Sequence, residues 1–214
     1  MPTSRRYVAV DGPPGAGASA LAEALATRLG ANLVCDPARK SPLTQELAER
    51  PRRSAFQTQI YCLLARWQQQ RELEQPELFG PRAIVCDYFF ARDALFAQAI
   101  LSPDELDLYD KIATLVGEPR LAPDLSVFVT ADLSVLRSRV RRLVASADRV
   151  IKLNVLESLA NSMNDWVFSY RQGPLLVINT SEFDFEKRPD KIEELTEVII
   201  NAKAGVSHVR PLGF

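Results

Sequence analysis

Histidine is almost absent from this chain. Among 214 residues only His208 carries an imidazole, and it lies in a closing segment, GVSHVRPLGF, rich in glycine and proline. Histidine-based catalysis and histidine-ligated metal sites are therefore set aside. Cysteine is scarce as well: Cys35, Cys62 and Cys86 form an odd set with no C-x-x-C spacing, which points to reduced thiols in a cytoplasmic protein rather than a disulfide framework. No apolar run approaches the length that spans a bilayer, and MPTSRRYVAV reaches a charged turn too soon for a signal-peptide core. An excess of one charge is missing too. The 26 Lys+Arg and 27 Asp+Glu leave a net charge of -1, so neither a nucleic-acid nor a membrane partner is expected. The local exception is the cluster Arg137, Arg139, Arg141 and Arg142.

What is present suits one α/β domain, taken as residues 1–203, with a tail at 204–214; with 47% hydrophobic residues the chain is long enough for a continuous core. The stretch around which the chain is organised is YVAVDGPPGAGASA, from Tyr7 to Ala20. A short apolar run, a glycine-rich turn and an Ala/Leu/Glu helix pattern follow one another, the context of a phosphate-binding P-loop, G-x-x-x-x-G-K-[ST]. Gly12, Gly17 and Ser19 fall on that pattern, and Ala18 falls on its lysine. The amides from Gly15 through Ala16, Gly17, Ala18 and Ser19 would form a concave nest at a helix N-terminus, which favours an anion whatever the side chains are. The lysine has another task, following the charge that moves in phosphoryl transfer. Alanine cannot perform it. An ordinary glycine-rich turn between strand and helix is the alternative reading of the same residues.

Further along, Asn32–Cys35 and Ala83–Cys86 read as strands that end in Asp36 and Asp87. Acids at strand tips of a doubly wound sheet point into the ligand crevice; for Asp36 a helix N-cap before Pro37 is the other reading. Helices are expected at Leu43–Glu49, at Ala55–Leu78 after a break at Pro51, at Asp93–Ile100, and from Ser102-Pro103-Asp104-Glu105 to about Gly117. Leu125–Val129 and Leu175–Ile178 complete five strands, with helices at Asp132–Val144, Ile151–Tyr170 and Lys191–Lys203 between and after them. The fold class is thus α/β, a five-stranded parallel sheet with helices on both faces. Gln57, beside Phe56 in a glutamine-rich helix, is suited to read a base edge, as a bidentate amide does with adenine.

With these residues in place the chain resembles the bacterial deoxynucleoside kinase family from Tyr7 to about Asn201. The family loop reads close to EGPIGAGK[ST]; here it is DGPPGAGAS. Asp36 and Ser41-Pro42 stand where the family has a glutamate general base and an Asn-Pro, Phe56-Gln57-Thr58 matches a Phe-Gln-Thr segment with a base-reading glutamine, and Asp87-Tyr88 and Asp93 match further positions. The resemblance implies a P-loop nucleoside kinase fold in a single domain, a nucleoside held by Phe56, Gln57, Tyr88 and Asp93, Asp36 and Asp87 as catalytic carboxylates, phosphates on the loop, Mg·ATP with Ser19 as a magnesium ligand, and a dimer.

The departures from the family gather on the phosphate side. Ala18 replaces the lysine, Leu143 and Ala145 replace two lid arginines, and Arg39 and Lys40 stand where the family is acidic. Arg139, Arg142, Arg149 or Lys40 are the substitute cations on offer. An arginine acting on a transferring phosphoryl group is worth roughly 10³- to 10⁵-fold, and near-attack geometry tolerates poorly the methylene lost from glutamate to Asp36. The leading expectation is a catalytically impaired family member that binds a nucleoside or serves as a regulatory partner, as homodimer or as heterodimer with an active homologue. Two alternatives stand beside it: a working kinase with a substitute cation, ideally one reaching over Gly17, and a scaffold that kept only the fold.

Overall fold

The computed structural model describes residues 7–40, 51–74, 83–117, 121–146, 153–185, 187–202 and 206–209. In chain order the elements are β1 (Tyr7–Asp11), α1 (Ala18–Leu29), β2 (Asn32–Val34), a 3₁₀ turn (Pro37–Lys40), α2 (Pro51–Leu73), β3 (Ile84–Cys86), α3 (Arg92–Ile100), α4 (Pro103–Val116), β4 (Leu125–Thr130), α5 (Leu133–Ser146), α6 (Leu153–Ser169), β5 (Leu175–Asn179), α7 (Pro189–Ile200) and β6 (Val206–Val209). The expected helix at 43–49, Ser41-Pro42 and Arg149 lie outside the described residues.

The strands form one parallel sheet in the order β2-β3-β1-β4-β5-β6. Every residue of β1 is buried, as befits a strand covered on both faces. Its side chains alternate: Val8 and Val10 join Leu21 and Leu25 of α1 and Leu195 and Ile199 of α7 in one core, and Tyr7 and Ala9 join Leu159 and Met163 of α6 in the other. A smaller cluster of Leu63, Ala97 and Tyr109 ties α2, α3 and α4 together. Because the chain leaves β1 toward β2 and β3 on one side and later adds β4 on the other, the carboxyl end of β1 opens at the switch point where doubly wound sheets bind ligands.

Local signals account for the helix ends. Glu105 accepts the Ser102 backbone N–H at 2.9 Å in a capping box, with Pro103 in the first turn of α4. Pro51 opens α2, a position where the missing N–H costs nothing. The five expected strands are present. The correction is a sixth: β6 lies within the segment read as a tail and pairs with β5, Val177 opposite His208. Only its two valines are apolar in four residues, so no periodic run marked it; an edge strand is held by backbone hydrogen bonds to its neighbour.

Candidate active site

The turn after β1 is built by close backbone approach. A Cβ on Gly12 would lie 1.9 Å from the Val129 carbonyl oxygen of β4, so only glycine lets the loop pass there. Gly17 adopts φ +95° just before α1, and its absent Cβ would lie 2.4 Å from the ring of Phe185. The space over Gly17 is therefore filled by an aromatic ring, not by a basic side chain. Ala18, at the lysine position, is buried in the same apolar cluster as Ala16, Leu21, Phe183 and Phe185. Ser19 remains half-buried, and its hydroxyl accepts a hydrogen bond from Arg39.

Beside the loop, four buried carboxylates meet three guanidinium groups. Asp11, at the end of β1, accepts the Gly12 N–H at 2.7 Å and the Phe89 N–H at 2.9 Å, and pairs with Arg92. Asp36 receives Arg66 through two parallel bonds, Nε to Oδ1 at 3.0 Å and Nη2 to Oδ2 at 2.9 Å, and the Ala38 N–H at 3.0 Å. Burial alone would raise the Asp36 pKa, but the Arg66 charge, its hydrogen bonds and Arg92 outweigh that and hold the carboxyl below its usual range. Asp87 accepts the Asp36 N–H at 2.6 Å and faces Arg39 Nη2 at 2.6 Å; there burial wins, and its pKa is raised despite Arg39. Asp93 binds Arg66 and accepts the Tyr109 hydroxyl at 2.5 Å. Among the described residues no group of three or more histidine, cysteine or acidic side chains is arranged to hold a metal ion.

The structure brings Asp36, Asp87 and Asp93 together beside Ser19 and separates other sequence candidates from them. Gln57 is exposed on α2, nine residues and so half a helical turn out of phase with Arg66. The amide on the inner face is Gln59, seven residues before Arg66, whose Nε2 donates to the Asp93 carbonyl at 3.1 Å. Phe56 is half-buried against the α2–α3–α4 cluster. Tyr88 does not face the cleft: it is fully buried, donates to Gln69 Oε1 at 2.6 Å and accepts from Gln70 Nε2 at 3.0 Å, and its ring lies 5.9 Å from the Arg66 guanidinium. Gln69 and Gln70 of α2 are thus hydrogen-bonded to a tyrosine.

The substitute cations on α5 are committed elsewhere. Arg139 donates to the Gly15 carbonyl at 3.2 Å, to Thr180 Oγ1 at 3.0 Å, to the Thr180 carbonyl at 2.7 Å and to the Phe183 carbonyl. Arg142 pairs with Asp184. Both bind the segment that follows β5. The residues that sequence reasoning missed are Gln59, Arg66, Arg92 and Arg39 as a site residue; the i, i+7 spacing of Gln59 and Arg66 on one helix face was the available signal for the first two.

Comparison with known proteins bears on the family and the fold. A family model described as deoxynucleoside kinase matches residues 8–203. A deoxyguanosine kinase of Bacillus subtilis is 24% identical over 203 residues, covering 88% of this chain and 97% of the relative, and a deoxyadenosine kinase of Dictyostelium discoideum is 23% identical over 214 residues, covering 97% and 84%. Among solved structures, deoxyadenosine kinase from M. mycoides with bound dCTP superposes with a TM-score of 0.70 at 19% identity over 89% of this chain and 98% of that one. The same enzyme with products dCMP and a flexible dCDP gives 0.75 over 91% and 99%, again at 19% identity. With a matched family model across nearly its whole length and a P-loop nucleoside kinase fold, the chain belongs to the deoxynucleoside kinase family.

Proposed function

We propose that this family member binds a deoxynucleoside and transfers phosphate to it poorly or not at all. The observation that carries the reading is the state of Asp36: the carboxylate at the base position is held in a two-point ion pair with Arg66, with its pKa lowered. A general base works best with a pKa near the working pH, and Arg66 holds this carboxyl below even its usual range. Ala18 adds to this, since the position of the loop lysine is apolar and buried, and Arg139 and Arg142 are engaged with the segment after β5. On the nucleoside side, Gln59, Arg66, Asp93 and Tyr109 bring an amide, a guanidinium, a carboxylate and a hydroxyl together in one buried network beside Asp36, a donor and acceptor set of the kind that suits a base edge. In this role the chain acts as a nucleoside-binding or regulatory partner, alone as a homodimer or with an active homologue.

The test combines thermal shift against deoxyadenosine, deoxyguanosine and deoxycytidine with phosphorylation assays in Mg·ATP. Stabilisation by at least one deoxynucleoside is expected. Turnover in the ordinary kinase range of about 1 to 100 per second would overturn the reading. Ala18→Lys is expected to leave kcat below that range, because restoring the loop cation does not release Asp36 from Arg66. A kinase that works with a substitute cation is the second reading, favoured by the contact of Arg39 with Ser19. Under it, wild-type turnover is ordinary and Arg39→Ala abolishes it.

A further inference from the structure

Phosphoryl transfer by P-loop kinases draws on a magnesium ion held through the loop hydroxyl. Here the residues that would receive the ion do not fit it. The oxygen donors at the end of the cleft are Ser19 Oγ, from the first turn of α1, and the Asp87 carboxylate, after β3. One guanidinium already lies against both: Arg39 Nη2 donates to Ser19 Oγ and forms an ion pair with Asp87 Oδ2 at 2.6 Å, an oxygen that accepts no hydrogen bond among the described residues. The other Asp87 oxygen is taken by the Asp36 backbone N–H at 2.6 Å. A magnesium ion demands near-octahedral oxygen ligation at about 2.0–2.1 Å, so it would need these oxygens while lying beside a fixed positive charge.

We propose that Arg39 takes the place of the divalent cation in this cleft, so that a nucleoside polyphosphate binds here without Mg²⁺. The proposal rests on the nucleotide-binding side of the reading above and goes beyond it. Arg39 is carried by the 3₁₀ turn Pro37–Lys40, which is anchored on Asp36: the Arg39 N–H donates to the Asp36 carbonyl at 3.1 Å and the Ala38 N–H to the Asp36 carboxylate at 3.0 Å. The same short segment therefore holds the base-position carboxylate and aims the guanidinium at the loop. A guanidinium is always charged and matches phosphate oxygens with a planar fork, and a chelator cannot remove it. It also gives no exchangeable coordination site, so it supplies charge for binding without the bridging that an in-line transfer requires. Relative to a loop with lysine and magnesium, the positive charge set against Ser19 and Asp87 is a guanidinium.

The experiment is calorimetric titration of the full chain with ATP, once with excess EDTA and once with Mg²⁺, on wild type and Arg39→Ala. Affinity of the wild type is expected to agree between the two conditions within about twofold, whereas Arg39→Ala binds ATP weakly in EDTA and tightens about tenfold or more with Mg²⁺, a coupling of ordinary size. Tightening of that size in the wild type, or equal behaviour of the two proteins, would overturn the proposal. Water-proton relaxation with Mn²⁺, in the absence of nucleotide, decides the matter separately. Bound Mn²⁺ is expected in Arg39→Ala and not in the wild type; Mn²⁺ bound by both or by neither counts against it. If ATP binds neither protein, nucleotide binding fails as a function, and the relaxation measurement still judges the role of Arg39.

Discussion

At the scale of single residues, the buried ion pairs decide what the cleft can do. Arg66 is nearly inaccessible and serves two carboxylates, Asp36 and Asp93, so Asp36→Asn removes its two-point partner and leaves it paired with Asp93 alone. Hydrogen bonds to a charged group are worth roughly 1.5–3 kcal/mol, and Asp36→Asn is expected to lose stability on that order in urea unfolding at neutral pH. The pH dependence has a definite sign. The Asp36 pKa is lowered in the fold, so its contribution is present above the ordinary carboxylate pKa and disappears as pH falls through the folded value. The difference between wild type and Asp36→Asn therefore shrinks below about pH 4, where unfolded carboxylates take up protons. A difference that persists undiminished into strong acid would show that Asp36 is not the ionised partner of Arg66.

At the scale of elements, Arg139 is a stitch rather than a catalyst. One guanidinium from α5 spans the carbonyl of Gly15 in the loop and those of Thr180 and Phe183 after β5. Arg139→Met leaves buried carbonyls without donors, at roughly 1–3 kcal/mol for an unsatisfied group. Hydrogen exchange is expected to quicken in residues 12–18 and 180–185 together, while β1 and β4 stay protected; unchanged exchange in both segments would contradict the stitch. The tyrosine clamp gives a second element-scale outcome. Tyr88→Phe removes the hydroxyl that Gln69 and Gln70 share, and with Tyr7 donating to Gln70 at 3.3 Å the cost falls on the contact of α2 with β1 and β3. A loss of about 1–3 kcal/mol in denaturant midpoint analysis is expected, with a change below a few tenths counting against the clamp. Both cases show where sequence pattern stopped. Strand-turn-helix order, the capping box at Ser102 and the acids at strand tips are local, and the chain states them openly. The assignment of Gln57 and Tyr88 to a ligand depended on which way a helix face and a strand end turn, and that is fixed by contacts sixteen to nineteen residues away and by the burial of α2, not by neighbours in the sequence.

At the scale of the whole molecule, the sheet's far edge carries the same lesson and a consequence for solubility. Of the five strands legible in the sequence, β1, β4 and β5 are buried along almost their whole length and carry apolar runs, whereas β2, at the opposite edge, is half-buried and is marked by its apolar run before Asp36. β6 is legible only as a partner, because its pairing alongside Leu175, Leu176, Val177 and Ile178 is made by the backbone and needs no pattern. Without it β5, four of whose five residues are buried, becomes the edge. A flat apolar edge strand with unpaired N–H and C=O groups is a template for other chains. Truncation after Lys203 is therefore expected to produce a protein that still folds around the β1–β4 core but associates with rising concentration, seen by light scattering, and that unfolds at lower urea. The replacement of Val206 or Val209 by lysine in the full chain keeps the backbone pairing and should leave association unchanged. If the truncated chain stays as dispersed as the full one, β6 does not guard this edge, and the residues after 203 act on the fold only as a tail.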